Sequence, residues 1–408
     1  MKVLYISRFS IYEGVPHAGG NTVYYYSSNL AKNSSNDIRI LSFATSEELD
    51  KIKPEDHNIK QYCIPWNKNA FGMIKSISSK LNPFTKYCNM IALYHIDELI
   101  EKLIAIRNEF IPDIVIVEWT QLVLAIDKIK EVFSDSVYVA SEHDVTFQAF
   151  QRKYKYEKNI IKKVYKYFQF INIRNREIYS LNKYDLVLVH NKKDVQLLKE
   201  THWLTSNILP IVAYFHQSVK KYERKNKNII YYGALSRTEN IESVKWFINN
   251  VMPKLKDLDI TFLVIGGGLT DELKKYESSK IHFTGYVDTI DDYFSVAMCF
   301  VAPIIMGAGI KVKVLEALYS GITVLTNDVG IEGIPAKNNI DYYHCESASE
   351  YEKTIKEIYY GKKPLINAQK FINENFDLID SFQNYEDVLV GLSNKNNELI
   401  KNYVEGKL

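Results

Sequence analysis

Cys299-Phe300-Val301-Ala302-Pro303 is followed closely by Gly307-Ala308-Gly309-Ile310-Lys311-Val312-Lys313-Val314-Leu315-Glu316-Ala317-Leu318. Four apolar residues closed by a proline form a short buried strand, and the apolar spacing after Lys311 is helical. Gly307 and Gly309 let the backbone between them approach a ligand. The helix start beyond presents unpaired N–H groups at the positive end of a helix dipole. Lys311 and Lys313 add charge, so the segment suits a diphosphate, which has many acceptor oxygens and needs neutralising without proton transfer. Glu316 lies about one turn into the helix, where its carboxylate is placed to accept two ribose hydroxyls. The alternative is a surface helix with ordinary charges, against which the apolar pair Val314-Leu315 beside Glu316 argues.

Working outward, this strand-and-helix unit repeats along the chain. Val3-Ile6, Ile38-Phe43, Ile114-Val117, Val137-Ala140 and Leu186-Val189 are apolar runs, each followed by a helical pattern. Ile229-Tyr232, Thr261-Ile265, Ile281-Thr284, Cys299-Ala302 and Thr323-Thr326 repeat the scheme. Near-continuous apolar strands alternating with helices predict parallel sheets covered on both faces, hence an α/β protein with two doubly wound units. The join falls near Asn207-Phe215, a strand-like stretch that leads into the charged run Lys220-Lys227. From Phe376 onward, Phe382, Tyr385, Val388, Leu389 and Leu392 keep helical spacing, as for a helix that packs back on the first domain. The expected organisation is a first domain over residues 1–210, a second over 211–375 and a returning helix over 376–408. Ligands of such sheets bind in the crevice at the strands' carboxyl ends.

In the first domain two places qualify for that crevice. Gly19-Gly20 before Asn21-Thr22 reads as a tight turn with a capping residue, offering free amides to a ligand, or as a plain strand-to-helix turn. The order is not GxGxxG, which gives nicotinamide dinucleotides little support. Ser141-Glu142-His143-Asp144 follows the strand Val137-Ala140, placing an imidazole between acids at a strand's carboxyl end, where it can donate or accept a hydrogen bond.

The 408 residues carry 51 Lys+Arg against 49 Asp+Glu, so no global field marks a nucleic-acid binder, and none is expected as a partner. The 13% aromatic content excludes a disordered chain. The four cysteines, Cys63, Cys88, Cys299 and Cys345, have neither disulfide-scaffold nor zinc spacing and read as reduced thiols. With one positive charge and too short an apolar run at the start, and no 18 consecutive apolar residues anywhere, the expected location is the cytoplasm. One basic stretch stands out: residues 152–176 hold nine Lys/Arg and one Glu among Tyr154, Tyr156, Ile160, Ile161, Val164, Tyr165, Phe168 and Ile171. It reads as an amphipathic helix for the anionic inner face of a membrane, with peripheral attachment, or as a solvated helix face.

The string from Gly307 to Leu318, with Gly321-Ile322-Thr323-Val324-Leu325-Thr326 and Gly330-Ile331-Glu332-Gly333-Ile334, resembles the donor-binding core of retaining glycosyltransferases of the GT-B fold, family 4. Tyr232-Gly233-Ala234-Leu235 with Asn240, Trp246-Phe247 and Pro253 is similar to the opening of that family's second domain. Phe283-Thr284-Gly285-Tyr286-Val287 is similar to its base-binding loop. The resemblance implies two Rossmann-like domains facing across a cleft, a C-terminal helix crossing back, and metal-independent transfer of a sugar from a nucleotide-diphosphate sugar. The acceptor would be a glycan or lipid-linked glycan, as in cell-surface polysaccharide synthesis, and no cofactor is implied. Carried over by residue, Glu316 binds ribose, Lys313, Lys311 and the Gly307–Gly309 loop with Ala308 and Ile310 hold the diphosphate, and Tyr286-Val287 edge the base. Gly233 and Gly20 line the donor, and His143 is the first-domain histidine near the transferred sugar.

Two departures go with it. The family often pairs Glu316 with a glutamate eight positions earlier, where Ala308 stands. It also often places Arg and Lys at the positions of Ala234 and Glu239, so Arg237, Lys311 and Lys313 are the substitutes for a cationic clamp. A nucleotide-sugar epimerase and a catalytically silent binding subunit are the alternatives on the same fold. Asp257-Leu258-Asp259 has the form of a metal-binding DxD but precedes its strand, at the amino end, and reads as a solvated turn.

Overall fold

The computed structural model describes residues 1–53, 55–56, 58–66, 82–395 and 403. Of the C-terminal segment expected over 376–408, residues 396–402 and 404–408 lie outside the described residues. The chain forms two units, Met1–Tyr214 with Leu378–Leu408, and Phe215–Asp377.

The first unit is built on strands β1 (Lys2–Ser7), β2 (Asp37–Ala44), β3 (Glu55–Asp56), β4 (Ile59–Pro65), β5 (Ile114–Glu118), β6 (Val137–Glu142), β7 (Leu186–Val189) and β8 (Asn207–Pro210). Their order is β3-β4-β2-β1-β5-β6-β7-β8, all parallel but for the β3–β4 pair. Alternate residues of one strand enter different cores. Leu4, Ile6, Val115 and Val117 pack into one cluster, whereas Val3, Tyr5, Ile114 and Ile116 pack into the other. Both faces of the sheet are therefore buried, the reason these strands read as unbroken apolar runs.

The helix Leu378–Ser393 belongs to this first unit. Its Tyr385, Val388, Leu389 and Leu392 join Val3, Tyr5, Val23, Tyr26 and Leu30 in the second of those clusters. Each such burial contributes about 1.5–3 kcal/mol. Hydroxyl contacts fix the register: Tyr385 Oη lies 2.7 Å from Tyr5 Oη, and Ser381 Oγ lies 2.6 Å from Tyr26 Oη and accepts from Val212 N at 2.8 Å.

The second unit has β9 (Ile229–Tyr232), β10 (Phe262–Ile265), β11 (Ile281–Gly285), β12 (Cys299–Ala302), β13 (Val324–Thr326) and β14 (Tyr343–His344) in the order β11-β10-β9-β12-β13-β14, all parallel. These two sheets, of Rossmann type, bear out the α/β, doubly wound expectation.

Two local expectations are corrected. The first helix spans Ala18–Ala31, so Gly19 and Gly20 sit inside its first turn and the N-cap is His17 rather than Asn21. Residues 152–176 are not one helix. Thr146–Tyr156 and Ile160–Leu181 are separate helices, because Glu157 leaves the helical region (φ −69°, ψ 125°) and Asn159 caps the second helix by accepting from Lys162 N at 3.1 Å.

Candidate functional site

In the first unit, the carboxyl ends of three adjacent strands place Glu118 (β5), His143 (just after β6) and His190 (just after β7) together. His143 Nε2 lies 2.8 Å from Glu118 Oε2, and His143 Nδ1 lies 3.2 Å from His190 Nε2. Burial pushes His143 down to about 4, against the pull of Asp144, and pushes His190 down to about 3, with His143 reinforcing the effect. Both rings are thus neutral near pH 7, and the Glu118–His143 contact is a hydrogen bond rather than an ion pair. Burial also raises Glu118 to about 7, opposed by the Ser141 hydroxyl and His190. The bonding pattern assigns His190 Nε2–H as donor to His143 Nδ1, and His143 Nε2–H as donor to Glu118.

Trp119 stacks on the His143 ring at 4.2 Å and 14°. Its backbone sits at φ 67°, a costly conformation for a bulky residue, while its N–H is held by Ser141 O at 3.0 Å. A Cβ on Gly19 would come within 2.9 Å of Trp119 and 3.0 Å of His143, so the glycine admits the stack. Gly20, the residue expected at the ligand, instead donates its N–H to His17 Nδ1 at 2.8 Å. Next to Glu118 and His143, a cavity of about 10 Å³ is lined by Thr22, Ser141, Tyr5 and Tyr385, with room for one water.

In the second unit, the helix Val312–Ser320 starts directly after Lys311, with Gly309 at φ 67° in the preceding loop. Lys313 projects back to the sheet: its Nζ donates to Tyr231 Oη at 3.0 Å and Asn240 Oδ1 at 2.6 Å, and lies 4.6 Å from the Tyr231 ring centroid. Both hydrogen-bond partners are neutral. Burial, reinforced by Arg237 and partly offset by Glu239, lowers Lys313 to about 7. A dehydrated amine held by neutral groups gains most from an incoming anion.

One turn on, Glu316 Oε1 accepts from His216 N at 3.1 Å, and burial raises its carboxyl to about 7. The His216 ring is fixed in turn by Asp291, Nε2 to Oδ1 at 2.8 Å. The glycine loop is braced by Lys311, whose Nζ donates to Gly309 O at 2.5 Å and Ala308 O at 3.3 Å and lies 3.6 Å from Glu332 Oε2. Gly307, Ala308 and Ile310 lie in that loop. Arg237, with a side chain 64% exposed, pairs with Glu239 at 2.5 Å. Tyr286 and Val287 follow β11, the former exposed and the latter half-buried. Lys313, Glu316, Gly233 and Asn240 are thus gathered at the carboxyl ends of β9 and β12, whereas the amine of Lys311 is spent on its own loop.

Residues 226–359 match the family described as glycosyl transferases group 1. The matched residues lie within the second unit, and the fold is of the GT-B type. The matched stretch contains the Lys313–Glu316 helix and its glycine loop. A curated relative, an uncharacterized 44.6 kDa protein in the cps region of Klebsiella pneumoniae, is 25% identical over 239 residues, which are 54% of this chain and 60% of that protein. The chain therefore matches less than two thirds of that relative's length. Among solved structures, Anabaena HepE in complex with UDP and glucose superposes with a TM-score of 0.66 at 14% identity, over 96% of this chain and 100% of HepE. Sucrose-phosphate synthase from Thermosynechococcus elongatus gives 0.65 at 12% identity, over 95% and 98%. A variant of S. aureus TarM in complex with fondaparinux, alpha-GlcNAc-glycerol and UDP gives 0.63 at 13% identity, over 97% and 100%.

Glu118, Trp119, His190, Tyr231 and His216 were not singled out from sequence. Their signal is positional: Glu118, Trp119 and His190 all lie at or just beyond the carboxyl end of an apolar run.

Among the described residues, Asp328, His344 and Glu346 bring one possible ligand atom each within 4.8 Å of one another. Asp257 and Asp259 precede β10, with Asp259 exposed and 3.6 Å from Lys227. No helix among the described residues is long and apolar enough to cross a membrane.

Proposed function

We propose that the protein is a retaining glycosyltransferase that moves a sugar from a nucleotide-diphosphate sugar to a glycan or lipid-linked glycan, in the making of a cell-surface polysaccharide or glycoconjugate. The observation that carries this reading is Lys313: a buried amine with neutral partners, on the first turn of a helix whose Glu316 lies one turn further in. Lys313 and the first-turn amides would hold the diphosphate and stabilise the charge that grows on it as the glycosidic bond breaks. Glu316 would accept the ribose hydroxyls, and Tyr286-Val287 would edge the base. His143, with both ring nitrogens engaged, would meet the transferred sugar in a fixed tautomer. UDP and glucose in the HepE complex, UDP in the TarM complex and the cps-region relative support this choice of donor and pathway. No metal is needed in this scheme, since a lysine and helix amides neutralise the phosphates.

A second reading has a specific motive. Ala308 carries no carboxylate and Arg237 is paired with Glu239, which favours a nucleotide-sugar-binding subunit without turnover. Incubation with UDP-, GDP-, ADP- and CMP-sugars, with and without glycan acceptors and with and without EDTA, separates these readings. Acceptor-dependent, EDTA-resistant release of nucleotide is expected. Donor rearrangement without acceptor would mean an epimerase, binding without turnover a silent subunit, and loss with EDTA a metal-dependent reaction.

A further inference from the structure

Arg8 follows directly on β1, Trp66 on β4 and Trp119 on β5, so parallel strands bring all three to the sheet edge that carries His143. The Arg8 guanidinium carbon lies 5.5 Å from the Phe9 ring centroid and 5.0 Å from that of Trp66. The Trp66 ring is itself stacked on buried His95 at 4.0 Å and 24°, which fixes that wall. On the other side, Phe9 meets Trp119 edge-on at 4.9 Å and 78°, and Trp119 lies flat on His143. Three contacts thus link the guanidinium to the imidazole.

A half-buried arginine ordinarily faces a carboxylate. Among the described residues Arg8 has no ion pair, and the one hydrogen bond of its guanidinium runs from Nη1 to Met90 O at 2.8 Å. Glu48, on the short helix after β2, is already engaged by Ser10 Oγ at 2.6 Å and by Thr45 N and Oγ1, both at 2.8 Å. Burial lowers Arg8 from the usual arginine range with no acid opposing it, yet the group stays a cation at physiological pH. The two rings hold the guanidinium by cation–π attraction without accepting its in-plane protons. Five N–H donors in a planar fork, with one carbonyl as partner, leave four for a ligand, and a partly dehydrated cation gains more from an incoming anion than a solvated one does. Phe9, with 38% of its surface exposed, offers an apolar face beside that fork. Fork and ring together fit a ligand that joins a charged oxygen group to a sugar, whose C–H face can lie on the phenyl.

We infer that Arg8 binds an anionic group of the acceptor, a phosphate or a carboxylate carried by the sugar that receives the transfer, with Phe9 packing on that sugar. Calling the ligand an acceptor rests on the transferase reading; the anion site itself does not. A planar fork meets either group with two parallel N–H···O bonds, so the two sources share one chemistry and differ in the probe that binds.

Full-length protein is titrated calorimetrically, without any sugar donor and at one fixed low salt concentration, with methyl α-glucoside, methyl α-glucuronide and glucose 1-phosphate. At least one charged probe is expected to bind about tenfold more tightly than the neutral glucoside. A preference for the glucuronide names a carboxylate, one for glucose 1-phosphate a phosphate. Arg8→Gln should erase the difference, and Arg8→Lys, which keeps the charge without the fork, should keep a reduced part of it. Lys313→Met should retain it in full, because that lysine belongs to the second unit. Unaltered circular dichroism shows that each variant is folded. Equal binding of charged and neutral probes by the wild type, a difference that survives Arg8→Gln, or one that Lys313→Met abolishes overturns the inference. Nucleotide release is read separately: if no donor turns over while the Arg8-dependent difference stands, it is the transferase reading that fails and not the anion site.

Discussion

A Cβ placed on Gly233 would fall 2.7 Å from Lys313 Nζ and 3.0 Å from Asn240 Nδ2. The end of β9 is thus bare because an amine from the helix Val312–Ser320 occupies the space. Lys313 thereby brings its amine from that helix to Tyr231 and Asn240 beside the end of β9. Gly233→Ala should push the amine off Tyr231 and Asn240, since a flexible lysine end yields more easily than backbone. Donor affinity is expected to fall about tenfold, which is 1.4 kcal/mol, in a protein that remains folded. Calorimetry with the donor that stabilises the wild type checks this, and an unchanged Kd would separate Gly233 from the site.

Lys313→Met keeps length and apolar contacts and removes the charge. Turnover is expected to drop on the order of 10²-fold, more than ground-state donor affinity, because the diphosphate gains charge only as the bond breaks. The free enzyme's Lys313 sits near 7, so wild-type kcat/KM should decline as pH rises through that value, and the methionine variant should lack the decline. Equal losses in affinity and turnover would point to a binding role alone.

Glu316 shifts the other way, from its ordinary 4.5 to about 7 in the fold. A raised carboxyl contributes stability that is fully present below about 4.5 and is lost as pH rises through about 7. Glu316→Gln should therefore match the wild type near pH 4.5 and exceed it above pH 7 by at most about 3 kcal/mol, while binding donor more weakly. Urea unfolding at a series of pH values reads this directly. Parallel curves for the two proteins would mean that the carboxyl titrates normally.

How much of this was legible beforehand depended on whether a feature is local in sequence. Ile114–Val117 announces a strand because every residue in it is buried, on alternating faces of a doubly covered sheet. Ile59–Pro65 escaped notice because Lys60, Gln61 and Tyr62 interrupt its apolar run near the sheet's edge. Lys313 and Glu316 stood out because a single helix turn joins them. Glu118 and His190 did not, since each needs the strand order β5-β6-β7 to reach His143, and order is a property of the whole sheet rather than of any segment. Ile160, Ile161 and Val164 are exposed while Phe170, Ile173, Ile178 and Leu181 of the same helix are buried, a division set by what packs along the helix and not by residue spacing.

The histidine pair should leave its own mark in acid. His143 and His190 drop from the usual 6.5 to about 4 and about 3, so the unfolded chain binds protons in a range where the folded protein does not. A depressed histidine contributes stability that is present above about 6.5 and lost as pH falls toward the folded value. Glu118 and Glu316 act oppositely between about 7 and 4.5, gaining stability on the way down, so the wild-type curve alone mixes the effects. The difference from a His143→Gln/His190→Gln variant isolates the histidines: the wild type should lose stability relative to the variant as pH falls from about 6.5 to 4. Nitrogen-15 imidazole shifts give the independent reading, with His143 carrying its proton on Nε2 and staying neutral down to about pH 5. A histidine that titrates near 6.5, or one protonated on Nδ1, would contradict the donor chain from His190 through His143 to Glu118.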